Sequence, residues 1–132
     1  MIPALMGIQA IALVFAGAGV GGVARYFLSL LLNPLVAALP MGTLVANVAG
    51  CGIAGGMLAL VMARPVLDPS IRLLVITGFL GGLTTFSTFS LEVLWMLESK
   101  QPMLAAGTIA LHVGLSLFAA LLAFWAMRAL LA

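Results

Sequence analysis

The polar side chains of this sequence are few, and their spacing is regular. Thr43 and Asn47 stand four residues apart, and Thr108, His112 and Ser116 repeat the same step. A step of four turns an α-helix by only about 40°, so each set forms a slowly winding polar stripe on one helix. Gly17, Gly21, Arg25 and Ser29 keep the step too. The densest segment runs from Gly78 to Ser90, GFLGGLTTFSTFS, with three glycines and five hydroxyls in thirteen residues. Hydroxyls, amides and one imidazole are hydrogen-bonding equipment, suited to holding or passing a small ion. They do not make an enzyme. Asp68 is the only aspartate and falls in a polar connection, so there is no Ser-His-Asp set, and hydroxyls alone are not nucleophiles. One histidine and one cysteine (Cys51) exclude a cysteine metal cluster and an intrachain disulfide.

The surroundings of these residues are apolar. Of 132 residues, 65% are hydrophobic and 6% charged, against roughly 25% charged in a soluble domain. So little polar surface cannot cover a soluble fold, and the chain requires a lipid bilayer. A net charge of +2 forms no basic patch and excludes a nucleic-acid partner. A spanning helix needs about 20 mainly apolar residues. Spans are predicted over about residues 3–32, 41–63, 71–97 and 103–131, one four-helix transmembrane domain filling 1–132. Asn33-Pro34, Arg64-Pro65, Asp68-Pro69-Ser70 and Glu98 to Pro102 punctuate them. The first span lacks the basic leader of a signal peptide and is too long for a signal core. The expectation is an all-α multi-pass protein with both termini on one side and no soluble domain.

Polar groups at bilayer depth are costly unless they meet a partner or a pathway. Arg25, near the end of its span, either snorkels to headgroups or draws anions to a vestibule. Asn47 is either a donor to an anion or a bond between helices. Gly81-Gly82 followed by Thr84-Thr85 reads as a break in the third span, because glycine disfavours helix by about 1 kcal/mol relative to alanine. The alternative is an intact helix with a small-residue packing face. A break in lipid exposes carbonyls and amides that need partners, and broken helices line ion sites. Lys and Arg normally concentrate in cytoplasmic loops. Here Arg64, Arg72 and Arg128 oppose Arg25 and Lys100, three against two, which is almost no instruction.

Gly42-Thr43-Leu44-Val45-Ala46-Asn47, the run GFLGGLTTFSTF from Gly78 to Phe89, and Glu92 resemble the signature of the CrcB, or Fluc, family of fluoride channels. Arg25-Tyr26 and the His112/Ser116 positions also fit, and the resemblance covers all four spans. It implies an antiparallel, dual-topology homodimer in a membrane, on the pattern of a bacterial inner (plasma) membrane protein, with two fluoride pores and a structural sodium ion at its centre. By motif position the sodium ligands would be backbone carbonyls of Gly81 and Thr84. Phe86 and Phe89 would line the pores and Asn47 would donate to fluoride. His112 and Ser116 would form the fourth-span track, with Thr108 one turn earlier, and the hydroxyls of Thr43 and Thr88 would join the donors. Arg25 and Glu92 would stand at the vestibules.

The residue chemistry is compatible with that resemblance. A dehydrated fluoride ion needs donors, and aromatic rings offer a positive edge without holding an anion as a lysine would. Weak binding at several sites suits conduction. A small four-span proton-coupled multidrug-type exporter is the alternative. That class uses an acid in its first span, and the first span here has none; Glu92 is the one intramembrane acid.

Overall fold

The computed structural model describes residues 7–63 and 68–132. Four helical segments in it are long and apolar enough to cross a membrane: Ile8–Leu35, Met41–Ala63, Pro69–Glu98 and Pro102–Leu131. The first span ends in a 3₁₀ turn, so the helices are α1 (Ile8–Leu32) and α2 (Met41–Ala63). The third span is two helices, α3 (residues 69–83) and α4 (Phe86–Glu98), and the fourth is α5 (Pro102–Leu131). No strand occurs among the described residues. The predicted start of the first span near residue 3, and the Arg64-Pro65 stop, lie outside the described residues.

The third span is interrupted within the expected Gly81 to Thr85 stretch, at its threonines rather than its glycines. Gly81–Leu83 is helical, and the chain extends at Thr84 (φ −82°, ψ 151°) and Thr85 (φ −152°, ψ 120°) before α4 begins. Thr85 supplies the physical reason. Its Oγ1 accepts the Thr88 N–H at 3.1 Å, an N-cap that starts a new helix. Upstream, Arg72–Leu80 winds as a π-helix, a form usually confined to single turns and frequent at functional sites.

Glycines serve as contact surfaces. A Cβ built on Gly17 would meet the Leu74 carbonyl oxygen at 2.2 Å, and one on Gly21 the Phe79 oxygen at 2.1 Å. Gly82 faces the Ala18 oxygen in the same way at 2.3 Å. The stepped face of α1 is therefore a seam in which its backbone lies directly on that of α3. A second seam joins α2 to α5, where a Cβ on Gly55 would come within 2.1 Å of the Ala120 oxygen. These are the close approaches that small residues permit between helices in lipid. The outer surface is apolar: Phe15, Phe118, Leu121 and Leu130 are exposed. Near the end of α5 the Arg128 guanidinium lies 5.8 Å from the Phe124 ring and 5.5 Å from Trp125, a cation–π pairing.

The seam makes a prediction. Gly21→Ala places a methyl against a backbone oxygen that cannot rotate away, and overpacking of this kind costs about 1–3 kcal/mol. Gly19 has nothing within 4 Å of its would-be Cβ. Thermal denaturation in detergent should show a lowered Tm for Gly21→Ala and a near-unchanged one for Gly19→Ala. Equal Tm values would mean that α1 and α3 are not packed backbone to backbone.

Candidate functional site: the break in the third span

Three helices converge on the break. Asn47 of α2 meets Thr85 with both ends of its carboxamide: Oδ1 accepts the Thr85 N–H at 2.7 Å, and Nδ2 donates to the Thr85 carbonyl at 3.1 Å. The side chain imitates a peptide group beside a residue that has left the helix. Nδ2 also lies 3.4 Å from Nδ1 of His112 on α5. The His112 ring packs on Phe89 of α4, centroids 4.7 Å apart, and Phe89 packs on Phe86 at 5.5 Å. One turn above Asn47, the Thr84 methyl group rests on Gly50, where a Cβ would sit 2.3 Å from it.

The break diverts two N–H groups. In a continuous helix the Thr85 N–H would bond to the Gly81 carbonyl and the Thr88 N–H to the Thr84 carbonyl. The first goes to Asn47 and the second to the Thr85 hydroxyl. The four carbonyls from Gly81 to Thr84 all lose their helical donors, with Gly81 and Thr84 at the two ends of the set. Between them in sequence, the Gly82 carbonyl accepts from Arg25 Nε at 3.1 Å. Arg25 therefore reaches along the α1–α3 seam to the break.

A cavity of about 350 Å³ opens beside the break, lined by Asn47, Phe86, Phe89, His112 and Ser116, with Thr84, Thr85 and Cys51. The sequence-predicted residues Asn47, Phe86, Phe89, His112 and Ser116 thus share one space. Others lie apart. Thr43 donates to Glu92 Oε1 at 2.5 Å. Glu92 and Thr88 line a second cavity of about 500 Å³, beside the loop before α2 and the start of α5. Thr108 is buried and donates to Met96 Sδ at 3.4 Å, which takes it out of the first cavity's wall. Two polar atoms among the described residues are buried without a partner, Glu92 Oε2 and His112 Nε2. Sequence reasoning missed Thr85 and Cys51. The signal for Thr85 was its place as a threonine three residues before Thr88 at a helix start; Cys51 follows Asn47 by the same step of four that links Thr43 to Asn47.

The arrangement can bind ions of either sign. Carbonyls freed at the end of α3 suit a hard cation. The N-terminus of α4, with its unpaired amides, and the Arg25 guanidinium favour an anion.

The comparisons with known proteins agree with the geometry. The family described as "CrcB-like protein, Camphor Resistance (CrcB)" matches residues 12–125. A protein of Yersinia pseudotuberculosis named "Fluoride-specific ion channel FluC 1" is 50% identical over 111 residues, covering 84% of this chain and 87% of its own length. One of Pseudomonas paraeruginosa, "Fluoride-specific ion channel FluC", is 48% identical over 112 residues, 85% of this chain and 88% of the relative. An Enterobacter protein of the same name is 45% identical over 122 residues, 92% and 96% of the two lengths. Four spanning helices and bacterial relatives describe a multi-pass protein of the bacterial inner membrane. The break, the polar stripes that meet at it and the matched 12–125 stretch lead to one conclusion: this chain belongs to the CrcB family of ion channels.

Proposed function

We propose that this chain conducts fluoride passively, releasing ion that has accumulated in the cytoplasm. The observation that carries the reading is the convergence of Asn47, Phe86, Phe89, His112 and Ser116 on one cavity, in a chain whose relatives are named fluoride-specific channels. The Phe86 and Phe89 rings, tilted at 52° to one another, can turn positive edges toward a passing anion. Asn47 keeps the break open beside them. Direct donation from Asn47 to fluoride would compete with its bonds to Thr85 and His112.

Liposomes loaded with fluoride or chloride test this. Purified protein should release fluoride at least about tenfold faster than chloride, a difference of about 1.4 kcal/mol in barrier. Asn47→Asp should abolish flux, since an ionised carboxylate cannot donate and repels an anion. Phe86→Ile and Phe89→Ile keep apolar bulk and should fold with a cost under about 1.5 kcal/mol, yet lose most of the flux. Full flux in both Phe variants would reduce the rings to packing, and no wild-type fluoride flux would end the proposal.

The same reading includes an antiparallel homodimer with two pores. Ser87, Ser90 and Gly81 are exposed at the break, beside Phe86 at 79% exposure. The two hydroxyls are bonded within the chain, to Thr85 Oγ1 and the Phe86 carbonyl, but freed carbonyls facing lipid are costly, and a second copy would cover them. The near-even Lys/Arg balance permits both insertions. Reporter fusions at the C-terminus should appear on both sides of the membrane in comparable amounts. A C-terminus found on one side only would refute the antiparallel assembly.

A structural sodium ion at the dimer centre completes the proposal. Its support is that the Gly81 and Thr84 carbonyls are two of the four that lose their helical donors at the break, while the Gly82 carbonyl between them is taken by Arg25. Thr84→Ser should keep the ion. Gly81→Val has room within one chain, with nothing within 4 Å of the new Cβ, so a loss of sodium there would report on the facing subunit. Elemental analysis of dimers exchanged into sodium-free buffer should find retained sodium in wild type and Thr84→Ser, and less in Gly81→Val. Wild-type dimers free of sodium would sink the claim.

A further inference from the structure

We infer that Asn47 acts on conduction through His112: it fixes the imidazole in the tautomer protonated at Nε2, making that N–H a neutral donor to the anion. The inference rests on the fluoride reading of the cavity and adds a mechanism that the reading lacks. It begins with the orientation of the Asn47 amide. Its oxygen accepts from the Thr85 N–H and its nitrogen donates to the Thr85 carbonyl. Flipping the amide would break both bonds, so the atom facing His112 is a donor. Nδ1 of His112, 3.4 Å away, must then be the acceptor. A neutral imidazole has one of each, so the proton is on Nε2. An imidazolium would set N–H against N–H at this contact.

Nε2 is buried and finds no partner among the described residues. A buried donor without an acceptor is unfavourable, and a small anion with strong acceptor character would relieve it. His112 lines the cavity with Ser116, Phe86 and Phe89, so an anion drawn from that space toward the buried Nε2 would pass a hydroxyl and two aromatic rings. The ring is held for that role by Phe89 against its face at 4.7 Å. An uncharged donor binds fluoride without retaining it as a fixed cation would, which suits passage. Asn47 is thus a positioning residue whose effect is read at another atom, and the break that it clamps and the donor that it orients are set by one carboxamide.

His112 is the only histidine in the chain, so its ring nitrogens can be assigned without ambiguity. Protein labelled with ¹⁵N-histidine and reconstituted in lipid should show a protonated Nε2 and a bare Nδ1. Fluoride, and not chloride, should shift the Nε2 signal. Asn47→Asp replaces the donor by an acceptor and should move the proton to Nδ1. Two variants separate donor from packing. His112→Gln carries an amide nitrogen near the Nε2 position, and His112→Asn keeps an acceptor near Nδ1 but has nothing at Nε2. Fluoride flux should fall further in His112→Asn than in His112→Gln, by about tenfold or more. A purely structural histidine predicts the reverse order. An Nδ1-protonated ring in the wild type, or flux in His112→Asn that equals or exceeds His112→Gln, overturns the inference while leaving the channel intact. Absence of wild-type fluoride flux would instead remove the functional reading on which it rests.

Discussion

A helix that stops inside a membrane must hand its open backbone groups to something, and here the Asn47 carboxamide takes the most exposed of them. Thr85 is the residue most removed from helical geometry, and Asn47 bonds both its N–H and its carbonyl. Without Asn47 the Thr85 N–H would face hydrocarbon unpaired, at several kcal/mol, while the Thr85 carbonyl, as that of the N-cap, would keep its first bond within α4. The cheaper alternative for the chain would be to continue the helix through Thr84 and Thr85. The break therefore exists because α2 brings an amide to it, and α2 is placed by its glycine seam against α5.

The break also separates charge. The end of α3 offers carbonyl oxygens and the start of α4 offers amide hydrogens, so a partial negative and a partial positive pole lie within a few residues of each other. Arg25 engages the negative pole, donating to the Gly82 carbonyl, one of the four that lost their helical donors. Phe89 and His112 stand on the α4 side, where the amides are.

Much of this was legible in the sequence. Four spans followed from apolar length, and the step of four puts His112 and Ser116 along one cavity wall, whereas Thr43, the same step from Asn47, turns to Glu92. The break was expected across Gly81-Gly82 and Thr84-Thr85, on the poor helix propensity of glycine. The structure extends the chain at the two threonines of that stretch, since what ends the helix is an available cap and an external partner, neither of which propensity reads. Arg25 could be placed on a face but not assigned a contact, because its partner lies on another helix. Thr108 keeps the period of its stripe yet turns to Met96; a step of four winds slowly, and over two steps it leaves the cavity. The π-wound stretch over Arg72–Leu80 has no sequence signal that we can name.

The seams between α1 and α3 and between α2 and α5 have a mechanical consequence. Where backbone touches backbone, no side-chain rotamer can yield, so each helix pair is stiff across its contact. A bilayer that thins or thickens with composition or temperature exerts a force on the spans, usually answered by tilt. These pairs would tilt as units and leave the spacing at the break nearly unchanged. The strain would pass to the ends, to the loop before α2 and the short turn between α4 and α5. The passage geometry would then be insulated from the lipid in which the protein happens to sit.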